Sequence, residues 1–375
     1  MRIKVAERAA LALVLAGCSP GTLGPADAAY PDGGGFPDAS GVDGAPSDAG
    51  PALAEVHFVG RFDTTNPSAP AFAFPGSAIM ARFFGTGVDA DLDTNGGDVF
   101  AIVIDGAVAR TLKFPQGRAV RNLATGLPLG VHDIALYKRT ESFVGVARFG
   151  GFTIRGGTVV PSPFPFARRV EIVGDSISCG YGAEGVGPNC PFSADTESEW
   201  GAWGAVAART LGAAHTTVCY SGKGVIRNYG GGTTELMPEV YERTLGDAPN
   251  PRWNFGTEIP DVVVVNLGTN DFSVGDPGQA FADAYYAFLQ GVRKKYPSAY
   301  IVCAAGTMLD AQELAKATGY IGSAVAKLAD PRVSTLDLGV QQQADGIGCD
   351  WHPSLATQQK MGAALAAHIK KVAGW

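Results

Sequence analysis

The spacing of apolar and polar positions divides the body of the chain into two stretches of different period. From Glu55 to about Gly157, short runs alternate apolar with polar residues and are punctuated by glycine: EVHFVGRF, FAFPGSAIMARFFG, DVFAIVIDGAV, VHDIALYKRT and VARFGGFTIRGG. Period two, with many β-branched and aromatic residues, predicts strands, and the Asp-Gly of IDGA predicts a tight hairpin. No helical period intervenes, so the expected architecture over 55–160 is an all-β sandwich of jelly-roll type. Pro161 to Phe166, PSPFPF, reads as a stiff connector, because each proline biases its predecessor toward extended geometry. From there to the C-terminus, over 166–375, the pattern changes. RVEIVG, HTTVCY, DVVVVNLG, AYIVCAAG and VSTLDL are candidate strands, and Val262 to Val265 is apolar without a break, as expected of a strand buried on both faces. Helical candidates lie between them, around Trp200 to Leu211, Gln279 to Tyr296 and Gln312 to Leu328, with a last helix from Leu355 to Val372. Alternation of this kind predicts an α/β three-layer domain, a mostly parallel sheet with helices on both faces and its site at the carboxyl ends of the strands.

The first 54 residues carry neither period. MRIKVAERAALALVLAGC begins with Arg2, Lys4 and Arg8, and its apolar run, Ala9 to Gly17, is too short for the roughly 20 residues of a transmembrane helix. It reads as an export signal. Its end, Leu15-Ala16-Gly17-Cys18, resembles a bacterial lipobox, which implies a signal peptide over 1–18, lipidation of Cys18 and anchorage in the membrane or at the cell surface, with plain secretion as the alternative. Residues 19–54 hold five Asp and no Lys or Arg among many Pro, Gly, Ser and Ala, and a disordered tether is expected. The leader contributes a net +2 and the tether −5 to the formal charge of −7, leaving −4 on the body. A body so near neutral, with no basic run, argues against a nucleic-acid partner. Membrane contact is expected through the lipid alone, and a monomer is expected.

Six cysteines are present. With Cys18 set aside, Cys179, Cys190, Cys219, Cys303 and Cys349 remain, an odd number, so at least one stays free or pairs between chains. Cys179 and Cys190 are the closest pair in sequence, and the pairing itself stays open. No Cys-x-x-Cys occurs, and no structural zinc is expected.

The chemistry-bearing residues gather at strand ends of the second half. In VGDSISCGYG, Ser176 follows a strand and a turn. A serine hydroxyl is a weak nucleophile until a general base takes its proton. Of the five histidines, His57, His132, His215 and His368 lie in strands or a helix, where structural roles are the ordinary ones. His352, in GCDWHPS, sits in a loop held out of the final helix by Pro353. Asp350 stands two residues earlier, and in an extended segment the two side chains share a face, making Asp350 a candidate for fixing the imidazole tautomer. Its other reading is an exposed turn acid. Oxyanion donors are offered by Gly222 in YSGKG and Asn270 in NLGTND, beside the N–H of Ser176 itself. Trp351 and Tyr181 are candidate platforms for a ligand's apolar face, whereas Trp200 and Trp203, at helical spacing, belong to the core.

Taken as a set, GDS, SGKG, GTND and the late DWHP resemble the four blocks of the SGNH hydrolases, also called GDSL-type esterases. The resemblance runs from Val170 to the C-terminus and implies a flavodoxin-like fold for this half. PGSAIMARFFGTGV, AIVIDG and GLPLGVHDIALYKRTE, together with GDSISCGYG, resemble carbohydrate esterase family 2, exported deacetylases in which a jelly roll precedes an SGNH domain. The resemblance implies Ser176 as nucleophile, His352 as base, and the Ser176 N–H, Gly222 and Asn270 as oxyanion donors. Many SGNH enzymes place Asp three residues before the histidine, where this chain has Cys349. Some family 2 members use an Asp two residues before and others a backbone carbonyl, so support of His352 by Asp350 or by a carbonyl stays open. The implied activity is removal of O-acetyl groups from plant cell-wall polysaccharides or oligosaccharides such as acetylxylan and acetylated mannan, with no metal or organic cofactor. The rivals are an SGNH lipase or thioesterase, an inactive glycan-binding lipoprotein, and a metal-dependent deacetylase.

Overall fold

A computed structural model describes residues 55–375. The signal segment, Cys18 and the tether over 19–54 lie outside the described residues. Strands β1 (His57–Val59), β2 (Ala71–Phe72), β3 (Ala78–Thr94), β4 (Val99–Ile104), β5 (Ala107–Lys113), β6 (Gly117–Lys138), β7 (Ala147–Arg155) and β8 (Thr158–Val160) form one antiparallel sheet of order β2-β7-β3-β6-β4-β5, with β1 and β8 also paired to β3. The hairpin between β4 and β5 turns at Asp105 and Gly106, both at positive φ (51° and 82°), as a two-residue Asp-Gly turn requires. Strand length departs from the expectation of short runs. β3 and β6 span 17 and 22 residues and stay paired from Ala78↔Tyr137 to Thr94↔Gly117 by passing through irregularities at Gly85/Gly87 and Val88/Asp89. Bulges bend a strand without ending it. Phe72, Phe83, Phe100, Phe114 and Phe149 fill the core of this half.

The second half is a five-stranded parallel sheet of order β10-β9-β11-β12-β13, built from β9 (Arg169–Gly174), β10 (Ala214–Cys219), β11 (Val262–Asn266), β12 (Tyr300–Thr307) and β13 (Val333–Val340). Its helices are the single turn α1 (Ser176–Cys179), α2 (Trp203–Thr210), the turn α3 (Met237–Val240), α4 (Gln279–Lys295), α5 (Ala311–Leu328) and α6 (Leu355–Ala373). The unbroken valine run of β11 serves both faces. Val263 and Val265 pack with Phe281, Leu289 and Ile321 of α4 and α5, while Val262 and Val264 pack with Trp203, Leu365 and Ile369 of α2 and α6. Because β9 lies between β10 and β11, the crossovers leave it in opposite directions, and a crevice opens beyond the carboxyl ends of these three strands. No helix among the described residues is long and apolar enough to cross a membrane.

The two halves interpenetrate through buried charge. Arg61, fully buried, donates to the carbonyls of Tyr241 (2.5 Å) and Arg243 (2.8 Å) and pairs with Glu171 of β9 at 3.4 Å, enclosed by Phe74, Tyr241, Trp253 and Phe255. Glu171 also accepts from the hydroxyls of Tyr241 (2.5 Å) and Tyr296 (3.2 Å).

Candidate active site

Ser176 opens α1 directly after β9. Asp175 caps the turn by accepting from the Ile177 N–H at 3.0 Å, and Gly180 closes it in the left-handed conformation. The serine is held at 7% exposure with its Oγ 2.8 Å from His352 Nε2. Across the ring, His352 Nδ1 lies 3.0 Å from the carbonyl oxygen of Asp350 and 3.2 Å from that of Cys349. Carbonyl oxygens only accept, so Nδ1 carries the ring proton and Nε2 presents its lone pair to the serine hydroxyl. Burial, opposed by those two carbonyls, holds the imidazole down to about 4, so it stands neutral at pH 7.

Of the two supports left open for His352, the Asp350 carboxylate and a backbone carbonyl, the ring nitrogen meets the carbonyls. Asp350 has φ +49° and Trp351 φ +65°, so Cys349 to Trp351 form a tight turn instead of an extended segment, and the alternation that aligned Asp350 with His352 does not apply. Asp350 offers its backbone oxygen to the imidazole, while its carboxylate accepts from the Tyr181 hydroxyl at 2.7 Å. Tyr181, the other candidate platform, stands beside the base. Its ring lies on the imidazole, with centroids 4.1 Å apart, and is backed by Phe192 at 4.7 Å, so the face nearest the base is already covered. Trp351 is 55% exposed at the tip of the same turn and keeps an open ring face.

Gly222 follows β10 at φ +78°, a conformation that costs glycine little, and a Cβ there would meet only Tyr229. Neither its N–H nor that of Ser176 donates to another group among the described residues. The third expected donor, Asn270, lies in a 3₁₀ turn after β11, where its amide nitrogen donates to the Lys223 carbonyl (2.9 Å) and the Asp175 carboxylate (3.2 Å). It therefore ties the serine turn to the Gly222 loop. Asp271 holds the far end of that loop by accepting from the N–H groups of Val225, Ile226 and Arg227. Burial pushes Asp175 up to about 7 and raises Asp271 against the N–H groups it accepts from.

Two disulfides staple these segments. Cys179–Cys219 joins α1 to the end of β10, and Cys190–Cys349 joins the 182–190 loop to the histidine turn, leaving Cys303 free and buried. Cys179 and Cys190, neighbours in sequence, are thus not partners. The sites of Glu141, Cys179 and Glu197 lie within 4.8 Å of one another. With its sulfur committed to Cys219, Cys179 has no thiolate to offer a metal there.

Several contributors escaped the sequence reading. Gln358 of α6, fully buried, accepts from the Trp203 N–H at 2.9 Å and donates to the Ile177 carbonyl at 3.0 Å, locking α6 to the serine turn. Its signal was a polar residue on the buried stripe shared with Met361 and Leu365. Phe143, on the segment after β6, packs against Phe192 (5.1 Å) and Tyr220 (6.1 Å), and no periodicity points to it. Trp203 is in the core as expected, and Trp200 packs on Tyr137 at 4.8 Å.

The similarities to known proteins follow the same two halves. A family model described as Carbohydrate esterase 2 N-terminal matches residues 58–163, and one described as GDSL-like Lipase/Acylhydrolase family matches residues 172–360. The cellulase/esterase CelE of Acetivibrio thermocellus is 35% identical over 324 residues, spanning 85% of this chain and 40% of that protein. An acetylxylan esterase / glucomannan deacetylase of Cellvibrio japonicus is 26% identical over 328 residues, spanning 85% of this chain and 89% of that one. A solved family two carbohydrate esterase from Clostridium thermocellum, in complex with cellohexaose, has 35% identity and a TM-score of 0.83 over 85% of this chain and 99% of that one.

Proposed function

Because the chain belongs to carbohydrate esterase family 2, we propose that it is a serine esterase that removes O-acetyl groups from plant cell-wall polysaccharides or oligosaccharides, acetylxylan and acetylated mannan in particular. The observation that carries this reading is the 2.8 Å contact between Ser176 Oγ and a His352 whose other nitrogen is held by carbonyls. His352 takes the hydroxyl proton as Ser176 attacks the acetyl carbonyl, then returns it to the departing sugar oxygen. Water, activated by the same imidazole, releases acetate and restores the serine. The N–H groups of Ser176 and Gly222 receive the oxyanion, and the Asn270 amide joins them by exchanging its Lys223 contact. Trp351 offers its exposed face to a sugar ring, with Phe143 at the rim.

In this reading the antiparallel half is a jelly roll and a domain over 55–160, the esterase domain covers 166–375, and the chain is an exported lipoprotein anchored through Cys18. The two disulfides support an oxidising compartment. A cavity of about 300 Å³ lined by Val225, Tyr241, Ala284 and Phe288 includes none of Ser176, Asn270 or His352 in its wall, so it does not serve as an acyl tunnel to the serine. The glycan-binding reading draws on the relative that holds cellohexaose, a glucan without acetyl groups.

Acetate release from acetylated xylan and glucomannan separates these readings. Wild type is expected to release acetate, Ser176→Ala and His352→Ala none, and Asp350→Ala to stay within about tenfold of wild type, since the backbone carbonyl survives the substitution. Activity retained by Ser176→Ala would sink the mechanism. Polysaccharide binding without acetate release by wild type would favour the glycan-binding reading.

A further inference from the structure

We propose that Glu141, supplied by the antiparallel half, is a positioning residue for the oxyanion loop: its carboxylate clamps Ser221 and so sets the peptide N–H of Gly222. β6 ends at Lys138, and the chain continues through Arg139, Thr140, Glu141 and Ser142, all buried, into the parallel half. One Glu141 carboxylate oxygen accepts from the Ser221 N–H at 2.7 Å, and the other accepts from the Ser221 hydroxyl. A bidentate contact to one residue's backbone and side chain restricts its backbone as well as its χ1, and Ser221 shares a peptide bond with Gly222. The clamp falls between two other anchors of the loop, the Cys179–Cys219 bridge upstream and the Asp271 carboxylate downstream.

Glu141 is itself braced. Its own N–H donates to Glu197 at 3.2 Å, and Lys138, paired with Asp98 at 2.9 Å, donates to its carbonyl at 3.3 Å. Burial raises both carboxyls, and Glu197 is raised also by facing Glu141; both Glu141 carboxylate oxygens meet donors of Ser221. Among the described residues, the carboxylate that meets Ser221 is that of Glu141, so the clamp crosses from the other half of the chain. Oxyanion donors act only as charge develops, so a misaligned Gly222 N–H slows the chemical step and leaves ground-state binding nearly untouched.

This inference rests on the esterase reading, and one experiment separates the two. Wild type, Glu141→Ala, Glu141→Gln and Ser221→Ala are assayed for kcat and KM on 4-nitrophenyl acetate, with a melting temperature for each. Glu141→Ala is expected to lower kcat about 10²-fold with KM within about threefold. Glu141→Gln, which keeps the shape and one acceptor, is expected to recover most of that loss, and Ser221→Ala to lose about tenfold in kcat. A folded Glu141→Ala with wild-type kcat, or with its loss confined to KM, overturns the inference and leaves the esterase reading standing. If Glu141→Ala does not fold, Ser221→Ala at wild-type kcat overturns it instead. A wild type inert toward acetyl esters overturns the esterase reading itself.

Discussion

At the scale of single residues, Asp175 holds the serine turn and Asn270, His352 faces the nucleophile, and two carbonyls hold the imidazole. The pH behaviour of His352 follows from its burial. Its folded pKa, about 4, lies below the ordinary 6.5, so between those values the unfolded chain takes up a proton that the folded chain refuses. Stability from this group is whole above pH 6.5 and is lost as pH falls toward 4. The expected NMR titration of the His352 ring has its midpoint near 4, and a midpoint at 6.5 would contradict the burial argument. Ser176 and His352 were legible because each lies beside a recognisable break, a strand end and a proline. The role of Asp350 was not, because it depends on two positive φ angles that no residue type in CDWH announces.

At the scale of elements, three loops after β9, β10 and β11 converge because the parallel order brings their strand ends together, while the histidine turn is brought in by the Cys190–Cys349 bridge. That bridge closes a sequence separation of 159 residues, worth about 5 kcal/mol in the chain-entropy account. Replacing both cysteines by alanine is expected to lower the unfolding free energy by up to that amount in urea titrations, and to cut activity more than stability near the folded plateau, because Asp350 N–H also rests on the Cys190 carbonyl at 3.0 Å. Unchanged urea midpoint and turnover would show the bridge to be dispensable. Helix positions were readable from period, and α4, α5 and α6 lie within a residue or two of the expected spans. The long β3 and β6 were not, because bulges carry them past glycines that read as strand ends.

At the scale of the molecule, the antiparallel half supplies Arg61 to the core of the parallel half, Glu141 to Ser221 in the loop after β10, and Phe143 to the rings of Phe192 and Tyr220. Arg61→Ala leaves Glu171 buried without its cation and is expected to cost about 3–5 kcal/mol in chemical denaturation. A loss below about 1 kcal/mol would show that the two tyrosine hydroxyls suffice for Glu171. By itself, the sequence determined the two periods, the parallel-sheet half, the four motif blocks and the proposed pairing of Ser176 with His352, since each is a local pattern of apolarity, turn chemistry or spacing. Only the tertiary structure decided the disulfide partners, the carbonyl support of His352, the tie made by Gln358 and the approach of Glu141 to Ser221. Those contacts join residues 40 to 181 positions apart or depend on backbone angles, and local sequence carries neither.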